Sequence, residues 1–429
     1  MLTLLAASVF ASTLNPTRLA AAKRTDSAGW IQLHLEGSPR DIGYQYGSLA
    51  AAEIDDAHRA RISQLDKVHD WPYYRETAKK LFWDKVDPEY QQEMAGQAEG
   101  LQAKGFKYDV WDVLAYNANI EIADYYIPWE RSHKTGKLES GAKCSCSAFV
   151  ATGSYTKDGK IVMGHNLWWD YLMGERANVI LDVTPQKGEH FVMDAFAGFI
   201  HSGTDFAMNA AGIGLEETTI SGFAGFDPSG IPEFVRMRKA IQYSKSLEDV
   251  VKIFEKGNNG GYANTWLIAD TNQNRIGKLE LGLKNVMIQT TTDGYYVGSN
   301  FPESPKLIAE EVPGGWDADP KTNGCETRRA RWNTLLTQNK GKVDEEMGKT
   351  FLADTVNEID GTTGGSDSTL CGKGGFGGAC NTKVLSTASI KKWQFWARMG
   401  VSDGSEKKFN SKSPFLKDMK SEPWIRVGN

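Results

Sequence analysis

Two short runs carry the side chains best suited to chemistry. The letters CSCS at 144–147 stand where a polar stretch ends and a β-like run begins, and GHNLWW at 164–169 ends the next β-like run. When a strand that begins at a thiol pairs with a strand that ends in polar groups, both ends lie at one edge of a sheet. The spacing therefore predicts a cysteine beside a histidine. By itself it favours a buried structural cysteine with a hydrogen-bonded histidine, and a cysteine nucleophile is the alternative.

The other familiar catalytic patterns are absent from the sequence. It has no Gly-X-Ser-X-Gly, no His-Glu-X-X-His and no phosphate-binding P-loop. Five cysteines are an odd number, so a secreted chain would keep at least one thiol unpaired. Cys371 and Cys380 flank a glycine-rich stretch, which predicts a disulfide between them. Histidines at ligand spacing from these cysteines are lacking, and no metal or organic cofactor is expected.

Composition and charge limit the compartment and the partners. The 429 residues carry a formal net charge of −5 and offer no basic surface, so nucleic acid is not an expected partner. The apolar run 2–11 is too short to span a bilayer and is typical of a secretory signal, which we place in residues 1–22. We therefore expect a secreted or lysosomal protein with no stable membrane insertion.

The pattern of apolar residues changes along the chain. Residues 30–128 are helix-rich, and the polar segment 131–142 predicts an exposed loop. Short β-like runs follow, with helices between and after them. The predicted helices are 44–58, 72–86, 89–104, 232–244, 246–256, 326–338 and 345–356. The predicted strands are 146–152, 160–165, 177–183, 190–195, 213–219, 265–270 and 294–299. Antiparallel-looking groups of strands favour an α+β fold of stacked sheets with helices outside.

A set of motifs in a fixed order resembles one known family. The motifs are CSA at 146–148, GHNLW at 164–168, MNAAGI at 208–213, ETT at 217–219 and GYANTW at 261–266, preceded by glycine-containing helical segments at 37–47 and 93–100. Together they resemble the phospholipase B-like family of N-terminal nucleophile hydrolases. More widely they are similar to its acyltransferase, bile-salt hydrolase and acid ceramidase relatives.

The resemblance implies a fold and a maturation step. The fold would be a four-layer αββα sandwich, with residues 23–145 as a helical pro-part and 146–429 as the catalytic chain. The precursor would cleave itself between Ser145 and Cys146, and the two resulting chains would stay associated. The free α-amino group of Cys146, whose ordinary pKa is near 8, would then act as the general base.

The resemblance also implies roles for individual side chains. Asn264 would be an oxyanion donor, with Thr219 as a second candidate. His165 stands where the amidase relatives have arginine, and Trp168 stands where they have aspartate, which leaves the acidic helper open. Asp170, two residues further on, could substitute for it or could simply be a surface residue.

Several alternatives stay open at this stage. Cys144 could be the nucleophile, although only Cys146 is followed by the Ser-Ala-aliphatic run of the family. Trp168, Trp169 and Trp266 would line an acyl pocket or pack in the core. Asn209 shapes a turn at the start of a strand. Three arginines on one predicted helix are expected on a solvated face: Arg328, Arg329 and Arg331.

The function that follows is hydrolysis of an acyl ester or amide of a small-molecule or lipid-like substrate through a Cys146 acyl-enzyme. One alternative is an amidase or acyltransferase that acts on N-acyl small molecules or peptides. Another is a catalytically silent homologue that binds such a ligand and leaves it unchanged. Ester and amide substrates pass through the same acyl-enzyme, so the sequence does not separate them.

Overall fold

A computed structural model describes residues 14–141, 146–374 and 377–428. Residues 1–13 of the predicted signal peptide lie outside that range, as do Cys144 and Ser145. The helices are α1 (Pro16–Leu19), α2 (Pro39–Leu49), α3 (Ala51–Ile62), α4 (Trp71–Phe82), α5 (Pro88–Ala103), α6 (Val110–Asn117), α7 (Asn119–Glu121), α8 (Ile127–Thr135), α9 (Tyr171–Gly174), α10 (Glu233–Tyr243), α11 (Leu247–Glu255), α12 (Pro305–Glu311), α13 (Gly324–Gln338), α14 (Glu345–Leu352) and α15 (Thr387–Ile390).

The strands form two sheets. Their bounds are β1 (Lys23–Ser27), β2 (Trp30–Gly37), β3 (Ser147–Thr152), β4 (Val162–Asp170), β5 (Val179–Pro185), β6 (Phe191–Ala195), β7 (Phe206–Asn209), β8 (Ile213–Thr219), β9 (Asn264–Asp270), β10 (Arg275–Leu281), β11 (Val286–Thr291), β12 (Gly294–Gly298), β13 (Gly377–Ser386), β14 (Phe395–Met399) and β15 (Ile425–Val427). Within the described residues, one sheet has the order β1-β2-β5-β6-β7-β8-β9-β10-β11 and the other β12-β3-β4-β13-β14-β15. Their pairs are antiparallel except β2 with β5, which is parallel.

The two sheets pack face to face, and side-chain alternation shows why. Successive side chains of a strand point to opposite faces. On β3, Ala148 and Val150 join a buried cluster with side chains from the nine-stranded sheet, such as Leu267. Phe149 and Ala151 face the other way, into a cluster that includes residues of α13 and α14. β3 is therefore buried on both faces, which fits its apolar sequence.

Helices cover the outer faces of both sheets. α2 packs on β2 and β5, α10 on β7, and α11 on β9 and β10, whereas α14 packs on β4 and β13. α2 and α5 approach each other unusually closely, because a Cβ at Gly43 or Gly96 would overlap the backbone of the opposite helix. The glycines noted at 37–47 and 93–100 thus serve a helix crossing. None of the helices in the described ranges is long and apolar enough to cross a membrane.

The structure corrects parts of the sequence-based expectation. The predicted helix 44–58 is two helices, α2 and α3, with a break at Ala50. The predicted exposed loop 131–142 begins as helix, because α8 continues to Thr135 and ends at Gly136 in a left-handed conformation. The N-terminal part is mostly helical, yet β1 and β2 belong to the nine-stranded sheet.

The predicted disulfide between Cys371 and Cys380 is wrong. Both residues are free thiols in buried positions. The Cys380 Sγ lies 3.2 Å from the carbonyl oxygen of Gly378. Both cysteines belong to a small apolar cluster with Tyr171 and Met419, in which they act as small hydrophobic side chains.

Candidate active site

Cys146 stands directly before β3, at the point where β3 begins to pair with β4. The register places Ser147 opposite Asn166 and Ala148 opposite His165, so the two runs singled out in the sequence are adjacent. The Cys146 side chain is buried, with its Sγ 4.0 Å from the carbonyl oxygen of Trp168. Burial raises the pKa of this thiol to about 12, so it is protonated at neutral pH in the continuous chain.

His165 and Asp205 lie beside the Cys146 thiol. The Sγ atom, a ring nitrogen of His165 and a carboxylate oxygen of Asp205 all lie within 4.8 Å of one another. The His165 Nε2 is 3.0 Å from the carbonyl oxygen of Glu217 and must donate to it, because a carbonyl only accepts. Burial and the charge of Lys383 hold the pKa of His165 well below its usual value. The ring is therefore neutral, and its Nδ1 is an unengaged acceptor among the described residues.

Asp205 belongs to a buried pair of carboxyl groups that sequence reasoning missed. It interacts with Glu217, and the Tyr262 hydroxyl donates to it at 3.1 Å. Burial raises the pKa of Asp205 to about 6, and burial together with the Asp205 charge raises the pKa of Glu217 well above its usual value. Like charges this close cannot both ionise easily, so the pair holds a proton at neutral pH. Asp205 follows no motif, and its loop position gave no signal.

Backbone strain is concentrated around this group. Among the described residues other than glycine, six have positive φ, and three of them are Asp205 (69°), Tyr262 (51°) and Asn300 (70°). Asp205 and Tyr262 contact each other next to the thiol, and Asn300 accepts a hydrogen bond from Arg328. Such conformations cost energy and cluster at functional sites, where the surrounding structure enforces them.

Arg328 holds the residue that carries the thiol. Its guanidinium donates to the carbonyl oxygen of Cys146, to the Ser147 Oγ at 2.9 Å and to the Asn300 Oδ1 at 2.9 Å. It also lies 4.5 Å from the centre of the Trp168 ring. Burial lowers the pKa of Arg328 to about 10, which leaves it charged at neutral pH.

The expectation of a solvated arginine face on α13 is wrong. Arg328 is fully buried, and the other two arginines of the run are partly buried in ion pairs. Arg329 pairs with Glu303, and Arg331 pairs with Asp354 at 2.6 Å. A run of three arginines does not reveal which of them faces the core, because that depends on how the helix is rotated against the sheet.

A buried ion pair lies behind the histidine. Lys383 on β13 is opposite His165 on β4, and its Nζ is 2.9 Å from the Asp194 Oδ2. Both side chains are fully buried. The lysine also donates to the Asn381 Oδ1 at 2.7 Å. Its fixed positive charge disfavours a proton on His165, which keeps the imidazole neutral beside the thiol.

Asn264 and Thr219, the proposed oxyanion donors, are paired in the sheet. Thr219 is the last residue of β8 and lies opposite Asn264, the first residue of β9. Asn264 is buried, and neither its Nδ2 nor its Oδ1 has a hydrogen-bond partner in the described part of the chain. A buried amide without partners is costly. Asn264 is not among the residues that line the cavity described below, and its role in catalysis stays a prediction.

A cavity of about 480 Å³ adjoins this site. Four of the predicted residues, Trp168, Trp169, Asp170 and Thr219, contribute to its wall, as do Arg61, Gln64, Asn119, Ile120, Asp124, Tyr125, Gly141, Met173, Phe196, Phe199, Tyr262, Asp367, Gly374, Gly377 and Gly378. The wall is thus part aromatic and part charged.

Two sequence expectations about this cavity need correction. Trp266 is not in its wall: the ring packs on Phe254 of α11, with centroids 4.3 Å apart, because it points to the outer face of its sheet. The Asp170 carboxylate accepts from the Met173 backbone N–H at 3.0 Å and from the Gln64 Nε2 at 2.9 Å. Asp170 therefore caps α9. Asp205 is the carboxylate that lies beside the thiol.

The thiol and its two neighbouring side chains also lie close enough together to hold a metal ion. Cys146, His165 and Asp205 are the group of that kind among the residues described. However, the side chains of Arg328 and Lys383 bring two positive charges to the same buried volume. These charges oppose the binding of a further cation, although the Asp194 carboxylate is paired with that of Lys383.

The carboxyl pair predicts a dependence of stability on pH. Near pH 4 the Glu217 carboxyl is protonated in both folded and unfolded chains. As the pH rises, the unfolded chain releases this proton first, because the folded-state pKa is raised, so the wild type loses stability. We expect Glu217→Gln, which carries no such proton, to gain stability relative to wild type between pH 4 and pH 7. Urea unfolding at several pH values measures this difference.

An exposed carboxyl provides the control. Glu310→Gln changes the same functional group at the surface and should leave the pH profile of unfolding as it is in the wild type. A difference between Glu217→Gln and wild type that stays constant from pH 4 to pH 7 would contradict the shared proton.

A family model described as Phospholipase B matches residues 48–329. This is well over half of the chain, and it contains Cys146, Asn264 and Arg328. The chain belongs to the phospholipase B family. The resemblance drawn from the sequence motifs is thereby confirmed.

Curated relatives of this phospholipase B family member are similar over part of their length. An uncharacterized protein of Archaeoglobus fulgidus is 28% identical over 56% of this chain and 41% of its own. The putative phospholipase B-like 2 of Caenorhabditis elegans is 23% identical over 44% of this chain and 34% of its own. The acyl-coenzyme A:6-aminopenicillanic-acid-acyltransferase 40 kDa form of Emericella nidulans is 24% identical over 53% of this chain and 57% of its own. The matches span less than two thirds of each relative.

Solved structures that resemble this chain include two variants of the conjugated bile acid hydrolase from Clostridium perfringens. One has a TM-score of 0.37 and 12% sequence identity, and covers 66% of this chain and 92% of that chain. The other has a TM-score of 0.35 and 11% identity over the same shares of both chains.

Proposed function

We propose that this phospholipase B family member is a self-processing N-terminal cysteine hydrolase that cleaves acyl ester or amide bonds of lipid-like substrates. The observation that carries the proposal is the buried thiol of Cys146 at the start of β3, with His165 and Asp205 within 4.8 Å and Arg328 on its carbonyl oxygen. A cysteine kept only for packing needs neither strained neighbours nor a charged guanidinium on its backbone.

Maturation would use the thiol on the chain's own backbone. The Cys146 Sγ attacks the carbonyl carbon of Ser145, the C–N bond between the two residues breaks, and the nitrogen takes the thiol proton. Water then hydrolyses the resulting thioester and releases a Ser145 carboxylate and a free thiol. Ser145 lies outside the described residues, so the scissile bond is assigned from the chemistry of the junction. The product is a second chain whose first residue is Cys146.

The new amino terminus would supply the base for turnover. The α-amine, with an ordinary pKa near 8, takes the thiol proton as sulfur attacks the acyl carbonyl of the substrate. The Asn264 amide would donate to the oxyanion, and the leaving group departs with the proton from the ammonium group. Water then releases the acyl group as a carboxylic acid. Arg328 keeps Cys146 in place throughout by its hydrogen bond to the carbonyl oxygen.

The proposal extends to the fold and to the compartment. We infer a four-layer αββα arrangement of the N-terminal nucleophile hydrolase type, with residues 23–145 as the pro-part that stays associated after cleavage. The shared nine-stranded sheet supports this association, because β2 of the pro-part pairs with β5 of the second chain over seven residue pairs. The apolar run at 2–11 supports a secreted or lysosomal location.

A second candidate is an amidase or acyltransferase that acts on N-acyl small molecules. It is favoured by the match to the acyl-coenzyme A:6-aminopenicillanic-acid-acyltransferase of Emericella nidulans. The site described here would serve either reaction, since both begin with the same acyl-enzyme. Rates with a matched ester and amide of one acyl group, with and without an added amine acceptor, distinguish the two.

Activity assays with cysteine variants test the proposal. We expect the wild type to hydrolyse p-nitrophenyl laurate or N-lauroylglycine. The rate of hydrolysis by Cys146→Ala should be at least about 10³-fold lower, because the nucleophile is gone. Cys371→Ala, which removes another buried free thiol, should keep the activity. Equal activity of wild type and Cys146→Ala would overturn the proposed nucleophile.

A further inference from the structure

The cavity beside the candidate active site contains an arginine, Arg61, that forms no ion pair with any residue that the structure describes. Arg61, in the last turn of α3, contributes to the cavity wall together with Trp168 and Thr219 of the site. Its Nε is buried and has no hydrogen-bond partner within the described ranges. Its Nη1 makes one long contact, 3.4 Å to the Gln64 Oε1. The guanidinium also interacts with the Tyr74 hydroxyl, but both of these partners are neutral.

The neighbouring arginines show that this is unusual. Arg59, two residues earlier on the same helix, pairs with Asp55 at 2.9 Å. Arg176, near the same cavity, pairs with Asp56 at 2.8 Å. Arg61 has no carboxylate within 4.0 Å among the residues described.

Asp170, an acidic residue of the same cavity wall, already has hydrogen-bond partners of its own. Its carboxylate accepts from Gln64 and from the backbone N–H of Met173. Asp124 and Asp367 also belong to the cavity wall, so the pocket carries charges of both signs. Arg61 remains the cation in this wall that has no acidic partner in the described chain. A guanidinium held in a cavity in this way is arranged for bidentate binding of a carboxylate or phosphate.

From this geometry we propose that Arg61 binds an anionic group, a carboxylate or a phosphate, of the substrate. The inference rests on the proposed function, since it takes the cavity as the substrate site. It narrows the substrate class to acyl compounds that carry an anion in addition to the scissile bond. Aromatic side chains of the same wall, Trp169, Phe196 and Phe199, would accommodate the apolar part. Two sources supply such an anion: the carboxylate of an N-acyl amino acid and the phosphate of an acylated phosphodiester.

Binding measurements with ligands that contain no acyl bond test the proposal independently of turnover. Calorimetry would compare octyl phosphate, octanoate and the neutral octyl glucoside on wild type and Arg61→Gln. We expect the loss of the guanidinium to lower the affinity for the two anions at least about tenfold and to leave the affinity for octyl glucoside unchanged. The anion that binds more tightly to the wild type identifies the source. Arg59→Gln, with an arginine of the same helix, should leave all three affinities unchanged.

The outcomes separate this inference from the proposed function. The role of Arg61 would be overturned if the wild type bound the anions no more tightly than octyl glucoside. It would also be overturned if Arg61→Gln lowered the affinity for the anions no more than the affinity for octyl glucoside. Tight anion binding that depends on Arg61, in a protein that cleaves no acyl substrate, would support this inference and count against the hydrolase. Turnover that depends on Cys146, together with anion binding that does not depend on Arg61, would support the hydrolase and count against this inference.

Discussion

Replacing Arg328 by methionine is expected to stop self-cleavage and to lower the free energy of unfolding by about 3–5 kcal/mol. The change removes a fully buried guanidinium and leaves the carbonyl oxygens of Cys146 and Ser299 without their charged donor. Because the Cys146 backbone is then no longer fixed, catalysis should fall at least about 10³-fold in any protein that still folds. Urea unfolding and the rate of chain cleavage measure the two effects.

Two further variants serve as controls for this prediction. Arg328→Lys keeps a charge but loses the planar fork of donors, so we expect an intermediate defect in both measurements. Arg329→Met replaces the next side chain of the same helix, whose ion pair with Glu303 is partly exposed, and should lower the free energy of unfolding by no more than about 1 kcal/mol. Cleavage of Arg328→Met at the wild-type rate would show that the guanidinium does not position the nucleophile.

Replacing Asn264 by alanine is expected to lower kcat by about 10²–10³-fold with little change in KM. The amide would donate to an oxyanion that exists only in the transition state, so its loss affects the chemical step and leaves substrate binding intact. Stability should change little, because the Asn264 amide has no hydrogen-bond partner in the described chain. Steady-state kinetics and urea unfolding of the same preparation separate the two effects.

Asn209 is the matched control for Asn264. Its Nδ2 donates to the carbonyl oxygens of Ile241 and Ser244 at 2.9 Å each, and its Oδ1 accepts from the Ile213 N–H. Asn209→Ala should therefore lower stability by about 2–3 kcal/mol and leave kcat of the folded enzyme intact. An Asn264→Ala protein that loses stability and keeps kcat would give Asn264 the structural role instead.

The sequence predicted the part of the site that local structure builds. Cys146 and His165 are joined by a short connection between two neighbouring strands, so their adjacency follows from the pairing of β3 with β4. The motif order also identified the family correctly. Helix α11 lies within one residue of its prediction at each end, and the Ser246 side chain caps it by accepting from the Asp249 backbone N–H.

The remainder of the site depends on tertiary packing, which the sequence does not display. Asp205 reaches the thiol from a loop, and Arg328 and Lys383 come from a helix and a strand about 180 and 240 residues further along the chain. Trp266 was misplaced for a related reason. Its strand is buried on both faces, so the apolar pattern does not tell which neighbour faces the cavity and which faces α11.

The central claim, that Cys146 becomes the amino terminus of the catalytic chain, is tested most directly by intact mass and N-terminal sequencing. The purified wild type should contain two chains, of which the second begins at Cys146. The Cys146→Ala variant should remain one uncut chain with the same fold. A wild type that stays uncut, or a Cys146→Ala variant that is cut at the same bond, would contradict the self-processed nucleophile.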